Sequence, residues 1–170
     1  MLAPIKWISP NQLESWRPRL IRFARLHGSR RIAAGSLNWL KAVTPSELER
    51  PGTAIAAAFD GRRLCGIACA ADYGKTAAFA VVHPDCRGLG IGTSLMSGLI
   101  EKLGALECVV ACDNVPSISM CFQAGMGAVS LTKGATGRPA LRFVAGNFRD
   151  DGGPSPQKMP ARQAFYYLSR

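Results

Sequence analysis

From Ala80 to Thr93 the chain reads Ala-Val-Val-His-Pro-Asp-Cys-Arg-Gly-Leu-Gly-Ile-Gly-Thr, a strand-like apolar stretch that passes through a glycine turn into a periodic apolar segment. Gly88, Gly90 and Gly92 free the backbone to aim several N–H groups into one concavity. The start of the following helix adds partial positive charge, and the two effects together favour a phosphate. Arg87 can add a charge-assisted hydrogen bond. Two nucleotide patterns fail at this turn. Counted from Gly88, the dinucleotide pattern Gly-x-Gly-x-x-Gly meets Thr93 where it needs glycine. The Walker pattern needs Gly-Lys-Ser/Thr, and Gly92 is followed by Thr93 and Ser94.

A second constellation lies downstream at Asn114, Ser117, Cys121 and Gly125. With these residues in place the sequence resembles the GNAT superfamily of N-acetyltransferases. The family's central motif, Gln/Arg-x-x-Gly-x-Gly/Ala after a strand, is similar to Arg87, Gly90 and Gly92. Its second signature, an Asn followed by a small residue, a Tyr and a Gly, is similar to Asn114, Ser117, Cys121 and Gly125. By element order the resemblance runs from Thr53 to Val144, and its motifs lie between Ala80 and Met126.

The resemblance implies acetyl-CoA as co-substrate, with no metal. The pyrophosphate would rest on the backbone N–H groups of Arg87, Gly88, Leu89, Gly90, Ile91, Gly92 and Thr93. Main-chain atoms of Ala80, Val81 and Val82 would hold the pantetheine arm as though it were an added strand. Asn114 and Ser117 would join the cofactor from the end of the next strand. Asn114 has a competing role as a helix cap serving the Ser117 N–H, because Pro116 removes one donor there.

The family's tyrosine, which often protonates the departing thiolate, is replaced here by Cys121. Packing thiol, proton donor and covalent nucleophile are the three readings of that residue. A thiol is intrinsically more acidic than a phenol, at ~8.5 against ~10, but its side chain is shorter. For the base that must deprotonate an acceptor amine, the candidates are Asp72 and Tyr73, just before the strand Ala77 to Val82, and Asp113 after the next strand. His83 reads as a loop anchor.

These residues need elements to hold them. Ser9, Pro10 and Gln12 suit a helix start. The segment Asn11 to His27 is expected as a helix that Pro18 kinks or divides, burying Leu20, Ile21, Phe23 and Leu26. A short helix is expected over Ser36 to Val43, and Thr44-Pro45-Ser46-Glu47 is a capping box. Thr53 to Phe59 and Leu64 to Ala71 read as a hairpin about Asp60-Gly61, with a second turn at Tyr73-Gly74-Lys75. Gly90 to Leu103 carries Ile91, Leu95, Leu99 and Leu103 at helical spacing. Strands at Glu107 to Cys112, Ala128 to Thr132 and Leu141 to Val144, with a helix at Asn114 to Ala124, complete an α/β fold. The resemblance makes this a mixed, largely antiparallel, splayed sheet with helices on both faces.

One acetyltransferase domain is expected over residues 1–145. Residues 146–170 form a polar linker and end segment, whose Phe165, Tyr166, Tyr167 and Leu168 could dock on the domain or on a neighbouring subunit as a homodimer contact. A formal charge of +10 favours anionic partners without naming one. Arg17, Arg19, Arg22, Arg25, Arg30 and Arg31 concentrate it near the first helix, where a solvated face is the simplest reading. Nucleic acid is not the expected partner, because Trp16 and Phe23 sit at core spacings. A small-molecule or protein amine is. No run approaches the ~18 apolar residues of a membrane span, so a cytoplasmic protein is expected. The six cysteines lack zinc-type spacing. Cys65 with Cys69, and Cys108 with Cys112, are each expected to share one side of a strand as small hydrophobes.

Overall fold

Alanines set the layer spacing. The computed structural model describes residues 4–28 and 31–146. Strands β1 (Ile5–Trp7), β2 (Ala54–Asp60), β3 (Arg63–Ala71) and β4 (Ala77–Val82) form one antiparallel sheet in the order β1-β2-β3-β4. One face of this sheet is small: Ala54, Ala56, Ala58, Ala68, Ala70, Ala78 and Ala80 all belong to one core cluster. Such a face lets a helix lie close to the backbone. At Gly66 even a methyl group would stand only 2.9 Å from Leu95 and 3.0 Å from Ile91. Both are on helix α4 (Ile91–Leu103).

The opposite face carries Ile55, Ile67, Cys69, Phe79 and Val81. It packs against α1 (Leu13–His27), α2 (Ala34–Ala42) and α3 (Pro45–Leu48) through Leu13, Leu20, Phe23, Leu40 and Leu48. Helices therefore cover both faces. Strands β5 (Ala105–Ala111), β6 (Gly127–Lys133) and β7 (Pro139–Gly146) make a second antiparallel sheet in the order β5-β7-β6, with α5 (Val115–Gln123) between β5 and β6 in the chain. Leu95 and Leu99 of α4 share a buried cluster with Leu106 and Phe143 of this sheet. The α4 helix thus serves both sheets.

Several expectations are corrected. Pro18 neither divides nor ends the first helix: a 3-10 turn at Pro10–Gln12 leads into a single α-helix that contains it. Pro18 falls in the second turn, where its missing N–H leaves one carbonyl, that of Glu14, without its helical partner. Leu26 is 64% exposed, while Ala24 takes its place in the core. The reason is rotational, since Leu26 lies roughly 200° around the helix from Ala24.

Cys65 and Cys69 do not share a face. Ala58 pairs with Gly66 and Phe59 with Leu64, so Cys65 is the extra residue of a β-bulge. It turns to the α4 side while Cys69 packs under α1 and α2. Cys108 is buried, whereas Cys112 is exposed beyond the end of β5. Strand β1, which sequence patterning did not suggest, pairs with β2 from Ile5↔Ala58 to Trp7↔Ala56.

The arginine segment does not form one solvated face. Arg17 is turned inward, its guanidinium donating to the carbonyls of Leu40 at 3.0 Å, Lys41 at 3.1 Å and Val43 at 2.5 Å. It satisfies the bare C-terminal end of α2. Arg19 lies over the rings of Trp16 and Phe59. Arg22 and Arg25 are exposed. Arg30, the 146–170 segment from residue 147 onward, and hence the Phe165 to Leu168 patch lie outside the described residues.

Candidate active site

Gly88 and Gly90 adopt φ of +77° and +75°, the left-handed region that side chains with a Cβ resist. They follow a 3-10 turn at Pro84–Cys86 and swing the chain directly into α4. Gly90 is the N-cap of α4, and having no side chain it supplies no capping acceptor. The first helical bond runs from the Ser94 N–H to the Gly90 carbonyl at 2.9 Å. The N–H groups of Ile91, Gly92 and Thr93 are therefore the orphan donors of a thirteen-residue helix. Gly88, Leu89 and Gly90 are exposed, with Leu89 at 65%. An open cradle of uncapped donors at a helix N-terminus has the geometry and the dipole that favour an anion.

The cradle is braced on two sides. The Arg87 guanidinium reaches back to the carbonyls of Val82 and His27, both at 3.4 Å, so it spans the end of β4 and the end of α1. On the other side α5 leans on the first turn of α4. A methyl group at Gly92 would meet the Met120 sulfur at 2.7 Å, so the Met120 side chain packs directly over Gly92. His83 anchors the loop, its Nδ1 accepting from the Asp85 N–H at 3.2 Å with its ring 4.4 Å from that of His27. His27 is held below its ordinary pKa, chiefly by burial and then by the nearby His83 ring and Arg87 guanidinium. Arg63 bonds Asp85 at 2.6 Å and keeps that carboxyl below the usual range.

Strand β4 is the last strand of the first sheet and β5 the first of the second, and no ladder joins them. The His83 N–H donates to the Cys65 carbonyl at 2.8 Å, which sets the antiparallel alternation: Val81 faces Ile67 of β3, while Ala80 and Val82 turn their main-chain donors and acceptors to the free edge of β4. An extended chain can add there as a strand does, ending at the cradle.

At the opposite end of β4 the sheets are pinned together. The turn Asp72–Gly74 carries positive φ at three consecutive residues, Asp72 at +49°, Tyr73 at +56° and Gly74 at +97°. Asp72 and Tyr73 are the only non-glycine residues with positive φ among the described residues. Strain of this kind persists only where the surroundings enforce it. The Tyr73 N–H donates to the Gly52 carbonyl at 2.8 Å, and Gly52 has no room for a side chain under the Tyr73 ring. A Cβ on Gly74 would collide with the Glu107 carbonyl of β5. This clamped turn presents Asp72 to a cavity of about 300 Å³, lined also by Trp39, Glu47, Arg50, Thr53 and Thr76. Another cavity of about 350 Å³, lined by Trp7, Ile8, Leu48, Ile55 and Lys102, touches none of the cradle residues.

Asn114 is the N-cap of α5, but its side chain makes no capping bond, so the expected service to the Ser117 N–H is not seen. The half-buried amide is left for another partner. Ser117 lies half-buried in the first turn of α5. Gly125, at φ +87°, follows the helix as its left-handed terminator, which explains a glycine at that spacing. Asp113 is drawn to two arginines, Arg138 at 3.6 Å and Arg31 at 3.9 Å, on the α5 side and away from Asp72. Cys121 is fully buried, its sulfur 3.7 Å from that of Cys108. Sequence reasoning missed this second thiol, because thirteen residues and two different elements separate the pair.

A family model described as the acetyltransferase (GNAT) family matches residues 14–128. No curated protein matches the sequence. Among solved structures the chain is similar to an aminoglycoside acetyltransferase AAC(6')-Ib in complex with coenzyme A and kanamycin, at TM-score 0.59 and 15% identity, covering 99% of both chains. It is similar to a protein from Salmonella typhimurium solved with its cofactor acetyl-CoA, at TM-score 0.60 and 16% identity, over 92% of this chain and 99% of that one. A spermidine N-acetyltransferase chimera from Vibrio cholerae matches at TM-score 0.57 and 13% identity, over 86% and 96%. At these identities the likeness is one of fold, while the family match spans most of the chain. The chain belongs to the acetyltransferase (GNAT) family.

Proposed function

We propose that the protein is an acetyl-CoA-dependent N-acetyltransferase that passes acetyl directly to an amine. The observation that carries this is the continuity of two unpaired backbone surfaces, the free edge of β4 and the uncapped start of α4, joined by the left-handed Gly88 and Gly90. The residues fit the cofactor. The N–H groups from Arg87 to Thr93 hold the pyrophosphate, with the Arg87 side chain bracing the turn, while the main chain of Ala80, Val81 and Val82 holds the arm. Asn114 and Ser117 approach from α5. Acetyl-CoA supplies an activated thioester. The chain's part is to orient that thioester along β4 and to polarise its carbonyl with a strand N–H.

Asp72 is the proposed base. It lines the cavity beside Trp39 and Arg50, at the end of β4 opposite the cradle. Its carboxylate takes a proton from the acceptor ammonium; the neutral amine then forms the N–C bond as the C–S bond breaks, and the nitrogen gives up its second proton to the departing thiolate, leaving a neutral amide and the free thiol. Its strained backbone is consistent with such a post. Cys121 is assigned to packing, since its thiol is buried against Cys108. That same burial favours a second reading, an acyl-CoA-binding protein without transfer. Thiol release measured over a panel of primary amines separates the two. Transfer predicts acceptor-dependent release that Asp72→Asn lowers by roughly a hundredfold, in the range of general-base contributions. Tight cofactor binding with no release from any amine would leave only the binding reading.

A further inference from the structure

Six free cysteines occur among the described residues; Cys65 and Cys86 hydrogen-bond side chain to side chain, and Cys108 and Cys121 meet deeper in the core. Cys108 lies on β5 and Cys121 on α5, with sulfurs 3.7 Å apart inside the core shared by both sheets. We propose that Cys108 and Cys121 form a reversible disulfide on two-electron oxidation, and that closing it weakens the cofactor cradle.

The mechanical link runs through α5. Closing the gap requires an approach of about 1.7 Å to reach the ~2.04 Å of a disulfide bond. Cys121 sits beside Met120, whose sulfur fills the space over Gly92. Two residues further on, Gln123 accepts a hydrogen bond from the Thr93 hydroxyl at 3.1 Å. Both contacts are to the first turn of α4, where the orphan N–H donors lie. Drawing Cys121 toward β5 draws these two braces away from the cradle, and packed cores answer such shifts by switching arrangement.

The chemistry balances with a small peroxide as oxidant. The Cys121 sulfur, as thiolate, attacks one peroxide oxygen; the O–O bond breaks and the departing hydroxide takes a proton to become water. The resulting sulfenic sulfur is attacked by Cys108, the S–O bond breaks, and a second water leaves. Each sulfur loses one electron and the peroxide gains two. The thiolate formed on one sulfur is held by the S–H of the other, which favours ionisation of one thiol of the pair and opposes that of both; Cys121 is taken as the attacking sulfur.

The test uses the full chain. Reduced protein is treated with hydrogen peroxide, alkylated, digested without reductant and mapped by mass spectrometry. The expected product joins the Cys108 and Cys121 peptides with the loss of two hydrogens, and forms in neither Cys108→Ala nor Cys108→Ser. Affinity for coenzyme A, read by calorimetry, should fall roughly tenfold on oxidation, within the usual range of coupling between sites, and recover with dithiothreitol. Oxidation confined to the exposed Cys112, with Cys108 and Cys121 still alkylated after unfolding, would overturn the disulfide. A mapped disulfide with unchanged affinity would overturn the switch. The affinity arm rests on the cofactor reading above; failure of the reduced protein to bind coenzyme A would contradict that reading and leave the peptide map to judge the disulfide.

Discussion

The hydroxyl of Thr93 donates to the side-chain oxygen of Gln123 at 3.1 Å, tying the third residue of α4 to the last residue of α5. The glycine turn proposed to hold phosphate is therefore tied at the start of α4 to the end of α5. Gln123→Ala removes the tie. A largely exposed hydrogen bond contributes about 1 kcal/mol, so thermal unfolding should move only slightly, while coenzyme A affinity drops several-fold. A variant that bound as tightly as the parent would show that α5 does not shape the cradle.

The clamped turn at Asp72–Gly74 gives a sharper contrast between glycines. Gly88 faces open space, whereas a Cβ on Gly74 would strike the backbone of β5. Both have positive φ. Gly88→Ala should cost about 1–2 kcal/mol, from left-handed strain alone. Gly74→Ala should cost about 3 kcal/mol, because overpacking is added to the strain. Urea titration of the two variants checks the order, and equal costs would mean that β5 yields freely to the turn.

His27 makes stability depend on pH in a stated direction. Its folded pKa lies below the ordinary 6.5, first because it is buried and then because the nearby His83 ring and Arg87 guanidinium disfavour its charge. As pH falls through 6.5 the unfolded chain takes up a proton that the folded chain refuses, so stability falls. Above that value the contribution is fully present. Melting temperature should therefore decline as the pH drops just below 6.5, and His27→Gln should flatten that part of the curve. An unchanged slope in the variant would assign the dependence to other groups.

The cradle was legible in the sequence because its demands are local. A backbone that must turn left-handed twice and then present bare donors has few solutions, and Gly88 and Gly90 are where they would be expected. Gly125 stood in the sequence only as the last position of the second signature; its role as the left-handed terminator of α5 emerges once the helix is in place. The continuous apolar run Ala77 to Val82 after a turn, and the Ile91, Leu95, Leu99 stripe, gave the strand and the helix their positions. What stayed hidden depends on distant partners. Nothing in three residues marks Ile5–Trp7 as a strand until Ala56 to Ala58 stand beside it. The bulge at Cys65 is visible only once β2 is in register. Arg17 reads as a surface charge until the end of α2 arrives beneath it. Asp72 stands in the sequence as a candidate base at a turn, but the left-handed backbone of that turn shows only once Gly52 is seen against Tyr73 and β5 against Gly74.

The most direct test of the account is calorimetry of acetyl-CoA against the parent protein and Gly90→Glu. That substitution sets a carboxylate at the N-cap of α4, where it can accept from the orphan donors and repel a pyrophosphate. Left-handed strain costs about 1–2 kcal/mol against a typical domain stability of about 5–15 kcal/mol, so the variant should remain folded by circular dichroism. The account predicts binding to the parent and a loss of at least about a hundredfold in the variant, or about 2.7 kcal/mol. Equal affinity in a folded variant would contradict the assignment of the cradle to the cofactor.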